Sequence, residues 1–151
     1  MMVEPLRLSG LTVTQVAARA SQLRPGMISE HFALNEFACK CGRWPTCTNA
    51  RPVRVLLGLL ERVRAAHYPQ GLRILSGVRC VAHNRGVGGK PSSQHLVGRA
   101  ADLQDPRMTI DQAKRLGAIG IGWDEGSGLV SHLDVRPGPV TVWMYPKGVR
   151  G

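Results

Sequence analysis

The sequence predicts an α+β fold, a small and largely antiparallel sheet packed by helices, and three observations carry that expectation. A helical period runs strongly through residues 52–67. Five short strand-like runs with turn residues between them follow at 72–75, 100–103, 119–123, 129–135 and 140–145. The chain of 151 residues is about one domain's worth, and 43% hydrophobic composition gives it enough apolar material for a core.

Residues 12–23 make the first expected helix, with Thr12 or Thr14 as cap and Val13, Val16, Ala17 and Ala20 on one side, ended by Pro25-Gly26. Residues 1–28 accordingly read as a helical arm or linker, and 29–151 as the folded domain. In 52–67, Val53, Leu56, Leu57, Leu60 and Val63 recur at helical spacing while Arg54, Glu61, Arg62 and Arg64 lie elsewhere around it. That stripe is core packing. Asn49 or Thr48 is the expected cap, with Pro52 tolerated in the first turn. A second short helix is expected at 110–117, where Thr109 and Gln112 have capping-box spacing. Neither an internal repeat nor a low-complexity tract interrupts this plan.

Lys and Arg number 20 against 10 Asp and Glu, a net charge of +10 that favours an anionic partner. Nucleic acid is disfavoured, because the basic residues are scattered, aromatics for stacking are few and no nucleic-acid motif appears. No apolar run approaches the roughly 20 residues of a membrane span, and Met1-Met2-Val3-Glu4-Pro5 lacks the basic-then-apolar pattern of a signal peptide. A cytoplasmic monomer, released by lysis, a holin-like route or a larger assembly, is the expectation.

Chemistry concentrates in two stretches, Ser92-Ser93-Gln94-His95 through Asp102 and Ser131-His132-Leu133-Asp134. Their imidazoles and carboxylates are donors that a catalytic zinc takes, and three protein ligands leave a fourth position for chemistry. His95 and Asp102 are seven apart, so they would face opposite sides of a straight strand and stand about 10 Å apart along a straight helix. Gly98 between them can turn a loop into a strand, which makes His95 loop-borne and puts Asp102 in or beside a short strand. Residues 129–136 alternate, with Leu129, Ser131, Leu133 and Val135 on one side and Val130, His132, Asp134 and Arg136 on the other. Gly86, Gly88 and Gly89 do not make a phosphate loop, since Lys90 is followed by Pro91, and they read as a turn. His31, His67 and His83 read as structural or surface histidines.

Together with Ser76-Gly77-Val78-Arg79, His83-Asn84-Arg85-Gly86-Val87-Gly88-Gly89 and His132-Leu133-Asp134-Val135-Arg136, these motifs resemble the zinc D-alanyl-D-alanine carboxypeptidase family. That family includes phage endolysins and shares the lysostaphin- and hedgehog-type zinc fold. The resemblance covers roughly residues 29–145 in order. It implies that His95, Asp102 and His132 bind Zn2+, that Arg79 holds a substrate carboxylate and that Ser93 touches the peptide. Several members carry an acidic general base three residues before the last histidine, where this chain has Leu129. A closer subset has His-x-Asp, so the expected base is Asp134, then Glu125, with Asp124 in the same loop. The implied activity is amide hydrolysis in a peptidoglycan stem peptide, at a terminal D-Ala-D-Ala bond or an internal one. A wall polymer also suits the positive charge. The rival readings are a zinc-bearing wall-binding module without catalysis and a basic virion structural protein.

Four cysteines remain, Cys39, Cys41, Cys47 and Cys80. They are reduced by default in the absence of export. Either a second, structural zinc or a disulfide after release is open to them, although Cys39-x-Cys41 is not the usual C-x(2)-C pair.

Overall fold

A computed structural model describes residues 23–148. The helix expected at 12–23 falls almost wholly outside them. The period-3.6 segment forms helix α1, Arg54–His67, and buries Leu56, Leu57, Leu59, Leu60 and Val63. Its expected cap is not used: Val53 is the N-cap and offers no side-chain bond, while the Thr48 hydroxyl accepts from the Ala50 amide instead. Pro52 lies just before the helix rather than in its first turn. Glu61, on the polar side of α1, accepts from the Ser29 hydroxyl at 2.6 Å and from the His31 amide at 2.9 Å, and its other oxygen lies 2.7 Å from His31 Nδ1. His31 is thus a structural histidine tying the segment before the domain core to α1.

Among the described residues five strands follow, β1 Ile74–Ser76, β2 Ala100–Leu103, β3 Gly120–Asp124, β4 Val130–Asp134 and β5 Thr141–Tyr145. They form one sheet in the order β1-β2-β4-β3-β5. The β1–β2, β2–β4 and β3–β4 pairs are antiparallel, and β5 joins β3 in parallel at the edge. Between strands lie α2, Val81–Gly86, a 3-10 turn at Gln94–Val97 and α3, Ile110–Leu116, while a further 3-10 turn at Leu34–Phe37 precedes α1. The capping box expected for α3 is present: Thr109 Oγ1 accepts from Gln112 N at 3.2 Å and Gln112 Oε1 from Thr109 N at 2.9 Å.

Ala101, Leu103, Ile121 and Leu133 join the α1 leucines, Phe32, Phe37, Tyr68 and Met108 in one core. Burying each leucine fully contributes about 1.5–3 kcal/mol, so this packing, more than any cap, holds α1 against the sheet. The alternation expected through β4 breaks at one point. The β3–β4 register slips between Gly122 and Trp123, and Val130 pairs with Trp123 and enters the core cluster instead of continuing the His132 and Asp134 side. Such a bulge inserts an unpaired residue and re-aims its neighbours.

Register then assembles the other face. Ser76 pairs with Asp102, Asp102 with His132, His132 with Gly122 and Gly122 with Trp143. Because directly paired residues project to the same side of a sheet, that single row crosses all five strands with its side chains together.

Candidate metal centre

The row explains how a histidine and an aspartate thirty positions apart meet. Asp102 Oδ1 stands 2.8 Å from His132 Nδ1 across the β2–β4 ladder. His95 arrives from outside the sheet on the Gln94–Val97 turn, whose N-cap Ser93 accepts from the His95 amide at 3.3 Å. The turn ends on Gly98 at φ 72, a left-handed conformation, and a Cβ there would lie 1.9 Å from Arg51 O, so glycine is required on both counts. His95 Nε2 reaches to 3.3 Å from the same Asp102 Oδ1. His95, Asp102 and His132 are all buried, and their ligand atoms lie within 4.8 Å of one another.

A tetrahedral zinc with bonds of about 2.0–2.1 Å would set neighbouring donors about 3.3 Å apart, and Asp102 Oδ1 stands 3.3 Å from His95 Nε2 and 2.8 Å from His132 Nδ1. The remaining polar atoms are committed in a way that favours this use. His95 Nδ1 lies 2.6 Å from Gly77 O, to which it donates, leaving Nε2 as the lone pair; that atom is buried and has no hydrogen-bond partner. An orphaned buried nitrogen beside a carboxylate is costly unless something binds it, and the residues fit a metal ion. His132 Nε2 lies 3.0 Å from Asp134 Oδ2. A ligating histidine ordinarily gives its second ring N–H to a carbonyl or carboxylate in this way, which fixes the tautomer.

Charges are balanced around the cluster. Arg79, only 5% exposed, places Nη2 2.9 Å from Asp102 Oδ2 and donates from Nε to Ser76 Oγ at 3.2 Å. Its guanidinium therefore sits on the carboxylate of the row. Asp134 is fully buried, and Arg136 grips it through Nε at 2.9 Å and Nη2 at 2.6 Å while stacking 4.8 Å over Trp143. Burial opposes the charge on both aspartates, but the His132 and His95 rings beside Asp102, and Arg136 and His132 beside Asp134, outweigh it and hold both carboxyls below the usual range. Burial pushes the His95 ring down and keeps it neutral, as a metal ligand must be.

The expected residues outside the cluster are placed differently. Glu125 is exposed in the turn after β3, where its Oε2 accepts from Lys147 N at 2.9 Å and its amide donates to Tyr145 O at 3.0 Å. Asp124 Oδ1 accepts from Ser131 at 2.7 Å. Leu129 is partly buried before β4. His83 lies in α2, where its amide donates to Cys80 Sγ.

Several contributors were not singled out from the sequence. A Cβ on Gly122 would meet the Tyr145 ring at 2.6 Å, Trp143 Nε1 at 2.9 Å and His132 Cβ at 3.0 Å, and one on Gly120 would fall 2.1 Å from Asp134 Oδ2. The two glycines of β3 make the room in which His132 and Asp134 sit. Trp143 completes the wall, its ring 5.0 Å from His132 and 6.2 Å from Tyr145. Two glycines at period two inside a strand run are the signal that could have found them.

The Peptidase M15 family model matches residues 30–127. The chain belongs to that family. Membership makes it a metallopeptidase, and the match spans Arg79, Ser93, His95 and Asp102. It stops short of His132 and Asp134, which the M15 chain's own sheet register sets opposite Asp102 and Ala100 respectively. No curated protein matches the chain. Among the described residues, no helix is long and apolar enough to cross a membrane.

Proposed function

We propose that this M15 metallopeptidase uses zinc, held by His95, Asp102 and His132, to hydrolyse an amide bond of a peptidoglycan stem peptide. The observation that carries the reading is the convergence of His95 Nε2 and His132 Nδ1 on one oxygen of Asp102, with each ring's other nitrogen already committed. Bound zinc supplies Lewis acidity, polarising a carbonyl and acidifying water.

The protein's side chains supply the rest. Arg79 acts on Asp102, neutralising Oδ2 and leaving Oδ1 toward the metal, and so is a positioning residue in this reading rather than a grip on substrate. Asp134 accepts the Nε2 proton of His132 and keeps Nδ1 free. With Asp134 so engaged, the candidate base is Glu125, the exposed carboxylate whose neighbour Tyr145 packs on Trp143, and it would take the proton of the attacking water and return it to the leaving amine as the amide bond breaks. Ser93 holds the His95 turn and borders the peptide. The +10 charge favours an acidic wall polymer as the surface on which the enzyme works. Residues 29–151 are the catalytic unit in this reading, with Ile28 just before them packed against the core.

The test is mass spectrometry of purified peptidoglycan after incubation with the zinc-loaded protein, which reports activity and bond position together. Stem-peptide cleavage, abolished by chelation and in His132→Ala, is expected, and Glu125→Gln should lose most of the rate while keeping its zinc. Wall binding without any cleavage would instead identify a binding module, and steeply salt-dependent DNA binding without cleavage would identify a basic structural protein.

A further inference from the structure

A second donor cluster lies outside the row. Cys39, Cys41, Cys47 and Cys80 come from three separate parts of the sequence, yet their sulfurs all lie within 4.8 Å of one another and none is joined in a disulfide. Cys39 and Cys80 are buried, and Cys41 and Cys47 are partly so. We propose that these four cysteines bind a second zinc ion, a structural one, that fastens the 38–53 segment to the start of α2.

Geometry is the first support. Zinc–sulfur bonds of about 2.3 Å in a tetrahedron set the sulfurs about 3.8 Å apart, a spacing that a group confined within 4.8 Å can adopt by side-chain adjustment. Two disulfides would need the sulfurs in two bonded pairs at about 2.05 Å and give no reason for all four to converge. A second support is the direction of backbone amides. Cys80 N donates to Cys39 Sγ at 3.2 Å, Arg43 N to Cys41 Sγ at 3.3 Å and His83 N to Cys80 Sγ at 3.4 Å. A neutral thiol is a weak acceptor, whereas a thiolate makes charge-assisted bonds, so amides aimed at three of the sulfurs suit metal-bound thiolates.

A third support is the segment itself. Residues 38–53 contain no helix or strand. A connection of that length without regular structure is uncommon in a compact domain unless something fastens it. Its turn at Arg43–Cys47, closed by Thr46 N and Cys47 N on Arg43 O, carries Cys47 back toward Cys41. Binding would release the four S–H protons to solvent and leave a site of net charge −2, in a loop that also carries Lys40 and Arg43. All four positions are filled by protein, so the site has none open for chemistry. Its effect on the first centre is positional: Cys80 follows Arg79, whose guanidinium holds Asp102.

The test is zinc content by elemental analysis of the full chain, purified without chelator. Wild type should carry two zincs, His95→Ala/His132→Ala one, and Cys41→Ser/Cys47→Ser one or fewer. Thiol blockade of wild type with an organic mercurial should release one zinc and leave the other, which keeps the test independent of whether the cysteine variant folds. Cobalt added to the metal-free histidine variant should give the strong thiolate charge-transfer absorption of a tetrathiolate site. A histidine variant that holds no zinc and shows no such band, or a mass under denaturing, non-reducing conditions lower by the hydrogens lost to a disulfide, would overturn the proposal. Either result leaves the reading of the His95 centre untouched.

Discussion

Asp102 is held from both sides: one oxygen pairs with Arg79, and the other faces His132 Nδ1 and His95 Nε2. Asp134 is held equally firmly by Arg136 and His132 Nε2. The motif spacing alone makes Asp134 a candidate proton carrier because it shares a strand side with His132. The spacing cannot show that Arg136, two residues on, folds back to take the same carboxylate. If Asp134 works through His132, Asp134→Asn should weaken zinc affinity about 10–100-fold, and excess zinc should restore much of the rate. A competitive-chelator titration paired with kcat at saturating zinc measures both. Normal affinity with a kcat that zinc fails to rescue would return the proton-carrier role to Asp134. His95, Asp102 and His132 were readable as a donor set from residue type and order, whereas Gly120 and Gly122 show in the sequence only as period-two glycines, because their contribution, room for Asp134 and His132 on the adjacent strand, is set by register.

At the level of elements, all five strands were visible as short apolar or alternating runs, and β2 occupies the expected residues 100–103. Periodicity located α1, but its cap was misplaced, since the Thr48 hydroxyl closes a local turn onto Ala50. Local competition of this kind is what makes Ser, Thr and Asn ambiguous at helix starts. The short α2 and the 3-10 turns escaped sequence reading because one or two turns carry too few residues for a period. Their starts depend on side chains that accept from the helix amides, Cys80 for α2 and Ser93 for the His95 turn. The contrast between caps is measurable by denaturant unfolding. Thr109→Ala should cost about 0.5–2 kcal/mol, because it removes one half of a formed capping box, and Asn49→Ala should change stability by less than about 0.5 kcal/mol. A larger loss at Asn49 than at Thr109 would mean that the α1 start is capped otherwise than described.

Among the described residues, one sheet separates two environments, a core shared with α1 and a buried polar row whose donors could hold a metal. Composition announced a single basic domain, yet no pattern in the sequence reveals that β5 lies parallel against β3 and brings Trp143 to His132. Long-range ties of this kind also include Tyr68, at the end of α1, whose hydroxyl donates to Asp105 O just beyond β2 at 2.5 Å. Burial, with the nearby Asp105 charge adding to it, pushes the phenol up to about 12. A raised phenol stabilises the fold fully below its unfolded value of about 10 and loses that contribution as pH rises toward about 12. Tyr68→Phe should therefore be about 0.5–1.5 kcal/mol less stable than wild type below pH about 10, with the gap closing over that alkaline window. A gap that does not change with pH in urea unfolding would show that the hydroxyl does not couple α1 to the sheet.

The position of the metal can be located by an anomalous-difference map recorded at the zinc edge from crystals of the zinc-loaded protein. A peak about 2.0–2.2 Å from His95 Nε2, Asp102 Oδ1 and His132 Nδ1 is expected. A map with no peak among those three atoms, or with zinc on His132 Nε2 beside Asp134, would contradict that position.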